Sequence, residues 1–236
     1  MRIVIFGATG PTGRRLTEQA LEAGHRVTAV TRRPGILLQA EGLTVACADV
    51  NDRAAVESAV EGSDAVLSAL GVPPGRKPVT VYSVGTGNII EAMRRQAVKR
   101  LVVVSSSVID PHWRPSGARF FNHVLDPYVN RVIARTAHDD MRRMEALVRA
   151  SGLKWTIARA SGLFDHPTIT DYRVSENSGD GVYTARSDLA SGMVRQLGSD
   201  RYVGKAMGVV TTEAKPGIAK LIWREAITKK QLQSQR

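Results

Sequence analysis

The chain has 236 residues, 43% hydrophobic and 23% charged, a balance that excludes a wholly disordered or fibrous protein. No stretch approaches the roughly 18 to 20 apolar residues that cross a bilayer, and the start, MRIVIFGATG, lacks a secretory signal pattern, so we expect neither a membrane span nor export. The single cysteine, Cys47, excludes an internal disulfide; no Cys/His cluster has metal-site spacing, so we expect no metal site and a reducing, cytoplasmic setting.

The formal net charge of +11 is concentrated near the end of the printed sequence. Residues Lys215–Arg236 hold six basic side chains and one glutamate, and thus contribute +5. Basic proteins attract nucleic acids, anionic membranes and small anions, but nucleic-acid binders also carry interleaved aromatic residues or a reader motif. Neither pattern is present, so the sequence favours a solvated basic surface and a small-molecule partner over nucleic acid or membrane.

Short apolar runs rich in Val and Ile alternate with longer amphipathic stretches, as in repeated βαβ units. The predicted strands are Arg2–Phe6, Arg26–Thr31, Leu43–Ala48, Ala65–Leu70, Arg100–Ser105 and Lys154–Arg159. The predicted helices between them are Gly13–Ala23, Arg53–Val60, Val81–Gln96 and Ala137–Ala150. This order predicts an α/β fold in which helices cover both faces of a parallel sheet.

The pattern weakens beyond residue 160. Ser175–Asp180 is interpreted as a turn before a short strand, and Ser187–Leu197 as a helix that has Ser187 as its N-cap. Tyr202–Thr211 is predicted to be another strand, and Ile218–Leu232 a basic helix.

The most specific motif is GATGPTG, residues Gly7–Gly13, which directly follows the first strand and opens the first helix. A pyrophosphate requires such glycines because it must approach bare backbone in a tight turn, where the helix N-terminus offers unpaired N–H groups. The position of the motif therefore favours a dinucleotide site over a purely structural turn.

Three segments resemble the atypical short-chain dehydrogenase/reductase family: GATGPTG, the strand end VVVSSS, and SGLKWTIARAS after a helix. Within that family the sequence is most similar to the NAD(P)H-binding group that includes NmrA-like proteins and biliverdin reductase B. The resemblance implies a Rossmann-type, doubly wound parallel sheet over residues 1–212, with substrate-side elements mainly in 110–133 and 160–212. A basic tail or helix, 213–236, would follow. The segment Asp110–Ile133 resists assignment, and long irregular segments in α/β domains are often active-site lids.

The resemblance also implies where a nicotinamide dinucleotide would lie: against the phosphate loop, the ends of the third and fourth strands, the start of the VVVSSS serines, and the segment after the sixth strand. The corresponding residues are Gly7, Thr9, Gly10, Pro11, Thr12, Gly13, Asp49, Val50, Ala69, Leu70, Gly71, Ser105, Ala160, Ser161, Gly162 and Leu163.

The end of the second strand indicates which nucleotide is preferred. NAD-binding Rossmann domains place a carboxylate there for the ribose hydroxyls, whereas this chain has Thr31, Arg32 and Arg33. Guanidinium groups favour a 2′-phosphate through charge-assisted hydrogen bonds, so we expect NADPH to be preferred over NADH. The alternative is that both arginines simply belong to a basic surface.

Ser105, Ser106 and Ser107 close the fifth strand, at the sheet edge that borders the ligand crevice. The catalytic Ser/Thr position of the family matches Ser107 best, with Ser106 as the second candidate. Serines at a strand end also form caps and turns, which is an equally good interpretation of these residues.

The Tyr-x-x-x-Lys pair of better-known family members is absent. Tyr128 is followed four places later by Val132, and no lysine occurs between Lys99 and Lys154. His112, His123 and His138 are alternative proton donors, although solvated loop histidines are common. Asp139 and Asp140 are explained by charge complementation at the N-terminus of their own helix.

Two functions remain. The first is an NADPH-dependent oxidoreductase that transfers hydride to a conjugated small molecule such as a flavin, quinone or tetrapyrrole, the acceptor class being implied by the resemblance. The second is an NmrA-like redox sensor that binds the dinucleotide without catalysing a reaction. For either function we expect a monomer or a homodimer. Nucleotide-sugar and isoflavone-type reduction are disfavoured because they commonly rely on the missing lysine.

Overall fold

A computed structural model describes residues 1–33, 40–73, 77–116 and 134–213. The strands are β1 Arg2–Phe6, β2 Arg26–Thr31, β3 Leu43–Cys47, β4 Ala65–Ser68, β5 Arg100–Ser106, β6 Lys154–Ala160, β7 Gly162–Phe164, β8 Tyr172–Glu176, β9 Tyr183–Ala185 and β10 Lys205–Thr211. The helices are α1 Pro11–Glu22, α2 Arg53–Val60, α3 Val81–Arg95, α4 Arg135–Arg149 and α5 Arg186–Arg195, with short 3-10 helices at Ser107–Ile109 and Gln196–Gly198.

Eight strands form one sheet in the order β3-β2-β1-β4-β5-β6-β10-β8. All neighbours in it are parallel except β8, which runs antiparallel to β10 at one edge. Strands β7 and β9 form a separate parallel pair. This topology confirms the expected Rossmann-type doubly wound fold, and the strand order reverses between β1 and β4.

Alternate side chains of the strands enter two separate hydrophobic layers. Val4 and Phe6 of β1 join the layer under α2, α3 and α4, whereas Ile3 and Ile5 join the layer under α1 and α5. A fully buried side chain of this kind contributes about 1.5–3 kcal/mol. Both faces are therefore apolar, which explains why the central strands were recognisable as continuous apolar runs.

The predicted bounds of β1, β2 and α2 are confirmed to the residue, and the other central elements differ by one or two residues at one end or, in α1 and α4, at both ends. Gly24 and Gly152 follow helices with φ of +77° and +69°, the left-handed conformation that favours glycine at helix ends.

Several expectations beyond residue 160 were wrong. Helix α5 begins at Arg186 with Ala185 as its N-cap, and the Ser187 hydroxyl donates instead to the Thr168 carbonyl at 2.7 Å. The last strand begins at Lys205 because the preceding residues form a turn through Gly204, whose φ is +72°. Ser175 and Glu176 end strand β8 rather than beginning the turn.

Some predicted elements lie wholly or partly outside the described residues. The helix Ile218–Leu232 and residues 214–236 of the predicted tail are outside them, as are residues 117–133 of the unassigned segment Asp110–Ile133.

Candidate functional site

The glycine loop lies at the carboxyl edge of β1, beside the point where the strand order reverses, which is where open α/β sheets bind ligands. Gly7 has φ +76°, and a Cβ atom there would lie 2.5 Å from the Ala69 carbonyl oxygen. A Cβ atom at Gly13 would lie 2.0 Å from the Gly7 carbonyl oxygen. Only glycine fits at either position, so the loop is folded tightly against the end of β4.

Helix α1 begins in this loop without a side-chain cap. Gly10 is the N-cap, Pro11 occupies the first turn, and no acidic residue is present there. The first-turn N–H groups and the positive end of the helix dipole therefore remain available for an anion. This uncapped N-terminus beside a glycine-lined turn fits a dinucleotide pyrophosphate.

The hydroxyl groups of Thr9 and Thr31 join this loop to the end of β2. Their Oγ1 atoms lie 3.4 Å apart, and the Arg33 backbone N–H donates to Thr31 Oγ1 at 3.1 Å. Arg14 Nε donates to the Thr9 carbonyl at 3.1 Å, which brings a further guanidinium to the same corner. Arg14 was not predicted, because an arginine one place after the glycine motif looks like any exposed helix residue.

Arg32 is held only weakly. Its Nη1 atom lies 3.9 Å from Asp49 Oδ2, and the two side chains are 76% and 43% exposed. Asp49 Oδ1 also accepts from the backbone and side-chain N–H groups of Asn51, at 2.9 and 2.8 Å. Exposed ion pairs contribute little, so Arg32 can turn toward a phosphate at small cost.

Val50 and Leu70 form an apolar wall beside the loop. A Cβ atom at Gly85 of α3 would lie 2.9 Å from the Val50 methyl groups and 3.2 Å from Leu70 Cδ1, so helix α3 packs closely here. Asn88 Nδ2 donates to the Val50 carbonyl at 2.9 Å and fixes this turn. A Cβ atom at Gly71 would face open space.

The three serines after β5 have different environments. Ser106 Oγ accepts from the Val108 N–H at 3.3 Å, the capping role that was the alternative for these residues. Ser105 and Ser107 are 2% and 1% exposed, and their hydroxyl groups have no hydrogen-bond partner among the described residues. An unpaired buried hydroxyl costs about 1–3 kcal/mol, so these two groups can accept a partner that the described residues do not supply.

Arg159 lies beside Ser105 in the sheet, since the two residues pair in register across β5 and β6. Its guanidinium donates to both oxygens of Glu145, at 3.0 and 2.8 Å, and to Asp110 Oδ2 at 2.8 Å. Burial alone would lower the pKa of Arg159, but hydrogen bonding and the charges of Glu145 and Asp110 outweigh it and raise that pKa. The arginine therefore stays charged and holds both carboxylates.

Asp110 extends this network to the turn between β8 and β9. The Ser178 hydroxyl also donates to Asp110 Oδ2, at 2.8 Å. Trp113 Nε1 donates to the Gly179 carbonyl at 2.9 Å, and the Ser116 N–H to Asp180 Oδ1 at 2.6 Å. The loop after Ser107 is therefore fastened to the turn between β8 and β9.

The segment after β6 is largely occupied with structural bonds. Ala160 is 2% exposed at the end of the strand. The Ser161 N–H donates to Thr184 Oγ1 at 3.0 Å, and its hydroxyl to the Gly181 carbonyl at 2.9 Å. Gly162 and Leu163 begin β7 and are only half-buried, so they are the accessible part of this segment.

Asp140 was predicted to stabilise its own helix, and that interpretation was wrong. The carboxylate is fully buried and accepts from the backbone N–H groups of Tyr82 and Ser83, at 2.9 and 3.2 Å, and from the Ser83 hydroxyl. It therefore caps the neighbouring helix α3. The same prediction was wrong for Asp139, which lies beyond the first turn of α4 and pairs with Arg142 at 2.7 Å.

The model of the NAD(P)H-binding family matches residues 7–200 of the chain, well over half of its length. The chain belongs to the NAD(P)H-binding family. Its glycine loop, the uncapped α1 and the sheet edge all lie within the matched residues.

Relatives in sequence cover only parts of the chain. A chloroplastic protein of Arabidopsis thaliana is 31% identical over 176 residues, 70% of this chain and 60% of that protein. The L-arabinose 1-dehydrogenase (NAD(P)(+)) of Haloferax volcanii is 37% identical over 110 residues, 45% of this chain and 41% of that enzyme. The chain thus spans less than two thirds of the length of either relative.

Solved structures match nearly the whole chain. A short-chain dehydrogenase/reductase from Veillonella parvula, in complex with NADP, has a TM-score of 0.74 at 19% identity and covers 92% of this chain and 99% of its own. The oxidoreductase ylbE from Lactococcus lactis has a TM-score of 0.74 at 18% identity, with 91% and 92% covered. The two TM-scores show that the chain shares the fold of these proteins.

Residues 1–33, 40–73, 77–116 and 134–213 of this family member contain no helix that is both long and apolar enough to cross a bilayer.

Proposed function

We propose that the protein is an NADPH-dependent reductase that delivers hydride to a flat, conjugated small molecule such as a flavin, quinone or tetrapyrrole. The observation that carries this proposal is that an uncapped helix N-terminus and the buried hydroxyl groups of Ser105 and Ser107 lie at one sheet edge, the two hydroxyls having no hydrogen-bond partner in the described part of the chain. Membership in an NAD(P)H-binding family and the L-arabinose 1-dehydrogenase relative support oxidoreductase chemistry.

When bound, NADPH would supply the hydride. The residues of the chain would bind the cofactor and orient it toward the acceptor. The first-turn N–H groups of α1 hold the pyrophosphate, and the wall of Val50 and Leu70 packs against the nucleotide. The Ser107 hydroxyl donates a hydrogen bond to the cofactor carboxamide or to the acceptor atom that gains negative charge. Burial strengthens that hydrogen bond because water does not compete for it.

The preference for NADPH rests on Arg32 and Arg33, with Arg14 beside them. We expect Arg32→Ala to weaken NADPH binding by about tenfold, the loss of one charge-assisted hydrogen bond of about 1.5 kcal/mol. NADH, which lacks the 2′-phosphate, should bind almost unchanged. Titration of each nucleotide by fluorescence measures both affinities.

Arg15→Ala is the matched control, because Arg15 lies on α1 and already pairs with Glu18 at 3.2 Å. It should leave the ratio of the two affinities unchanged. An equal loss of NADPH and NADH in Arg32→Ala would contradict a phosphate-reading role.

Oxidation of NADPH by the purified protein, with FMN, quinones and biliverdin as acceptors, tests the reaction. We expect turnover above the uncatalysed rate and a kcat about tenfold lower in Ser107→Ala, which loses one hydrogen bond. Ser63→Ala is a suitable control, since Ser63 donates to the Val60 carbonyl at 2.7 Å, away from the crevice.

The second candidate is a redox sensor that binds the dinucleotide without turnover. It is favoured by the composition of α4, Arg135–Arg149, which contains neither tyrosine nor lysine. Saturable NADPH binding with no oxidation of NADPH by any acceptor would favour this sensor over the reductase.

A further inference from the structure

Reduction of a conjugated acceptor needs a proton as well as a hydride, and the sequence has no lysine between Lys99 and Lys154 that could activate a tyrosine as its donor. Tyr82 is a poor substitute. Its hydroxyl accepts from the Val72 N–H at 3.3 Å, and its pKa is raised mainly by burial and further by the charge of Asp140. A phenol with a raised pKa and a buried ring releases its proton reluctantly.

Helix α4 offers a different proton donor. The contacts of its two flanks show which flank faces the strand ends. One flank is set by Asp140, whose carboxylate caps α3. Glu145 lies 140° further round the helix, at 100° for each residue. Its carboxylate binds Arg159 of β6, at the level of Ser105. This second flank therefore faces the strand ends on the substrate side.

His138 lies on that second flank. It precedes Glu145 by seven residues, which is about two turns, so the two side chains point within about 20° of each other and lie about 10 Å apart along the axis. As the crossover from β5 to β6, α4 runs against the strands, and its first turn reaches beyond their carboxyl edge. His138 is only 8% exposed there, and α4 packs against the 3-10 helix that begins with Ser107.

We propose that His138 is the proton donor of this reductase, which is a role that rests on the proposed function. The acceptor takes a hydride from C4 of the reduced nicotinamide, leaving NADP⁺, and a proton from a ring nitrogen of protonated His138, to form the reduced product. The neutral imidazole then regains a proton from water. Ser107 holds the acceptor by hydrogen bonding, and His138 supplies the proton to its heteroatom.

The carboxylates of the described residues around this flank are held by arginines or by backbone N–H groups. Glu145 on α4 and Asp110 after the 3-10 helix are both bound by Arg159 of β6. On α3, Tyr82 and the N–H groups of its first turn face Asp140, on the opposite flank. Asp139, next in sequence, is paired with Arg135 and Arg142. The two carboxylates bound by Arg159 are therefore committed, and an imidazole titrates near neutral pH.

The first test needs no turnover. We expect the imidazole proton signals of His138, assigned by their loss in His138→Gln, to shift in the NMR spectrum when NADP⁺ is added. The signals of His25, at the opposite edge of the sheet beside the Met1 amino group, should stay in place. A His138 signal that NADP⁺ leaves unchanged would place the residue away from the site and overturn the proposal.

The second test measures kcat with a naphthoquinone between about pH 5 and pH 9, a range that spans an imidazole pKa. In the unmodified protein kcat should fall as the pH rises through that pKa. His138→Gln should lower kcat about 100-fold, the lower end of a general acid's contribution, and abolish this fall. His25→Gln should change neither. Added imidazole should restore part of the rate in His138→Ala, because the small variant leaves room for it.

The outcomes separate the two proposals. A protein that oxidises NADPH while His138→Gln keeps the same kcat and the same pH profile retains the reductase function and loses the acid role. A protein that turns over no acceptor loses both. Thermal unfolding of each variant shows whether a lowered kcat comes from misfolding, and rescue by imidazole excludes that explanation.

Discussion

Replacing Gly13 with alanine is expected to weaken NADPH binding by at least about 100-fold, or about 2.7 kcal/mol. The new methyl carbon would lie 2.0 Å from the Gly7 carbonyl oxygen and 2.8 Å from Ala8 Cα, both backbone atoms. Because these neighbours are backbone atoms and not a flexible side chain, the loop itself must move to make room. Because the first-turn N–H groups of α1 lie in that loop, they lose their position for the pyrophosphate.

Isothermal titration with NADPH measures this loss, and circular dichroism checks the fold. Gly198→Ala is the matched control, since a Cβ atom there would meet no other atom within 4 Å. We expect its affinity for NADPH to equal that of the unmodified protein. If Gly13→Ala binds NADPH within threefold of the unmodified protein, the loop is not the phosphate site.

The largest effect on stability is expected from Arg159→Met, which should lower the free energy of unfolding by about 3–5 kcal/mol. The substitution leaves Glu145 and Asp110, which are 5% and 7% exposed, buried without their shared cation. Arg149 reaches Glu145 at 3.3 Å but not Asp110 among the contacts of the described residues, so it replaces the lost cation only in part. Arg159→Lys should recover only a fraction, because one ammonium cannot reproduce the fork that meets both Glu145 oxygens.

Urea unfolding measures these differences. Arg95→Met makes the same exchange at an exposed arginine that also contacts two carboxylates, Glu57 and Glu91. Arg95→Met should lower the free energy of unfolding far less than Arg159→Met, because water solvates the carboxylates that remain. If both substitutions lower the free energy of unfolding by the same amount, the buried network contributes no more than an ordinary surface ion pair.

The central fold could be predicted because the apolar pattern of its strands is local in sequence and repeats along the chain. Val4, Phe6 and their neighbours on β1 are apolar on both faces, so the strand stood out with its bounds, and GATGPTG marked the next helix. Strand β7 was not predicted, and β9 was predicted only as a short strand without bounds, since each has three residues and depends on pairing with the other. A run that short has no period to detect.

The finer parts of the site depend on contacts between distant residues. Arg159 ends an apolar strand and gives no sign in sequence that it will meet Glu145 and Asp110. Asp140 near the start of α4 suggested charge complementation of its own helix, whereas the backbone N–H groups that it accepts from lie 57 and 58 residues earlier in the chain. Local rules identify helix ends, but they do not say which helix a carboxylate caps.

The contrast between the rigid loop and the exposed pair Arg32 and Asp49 has a consequence for how this protein can change over evolutionary time. Substitutions at Gly7 or Gly13 are barred by backbone atoms, so the ability to hold a dinucleotide is locked. Arg32, at 76% exposure, can be exchanged with almost no penalty in folding. With Arg32 in its proposed role at the 2′-phosphate, descendants of this sequence could change their nucleotide preference without first needing mutations that stabilise the fold.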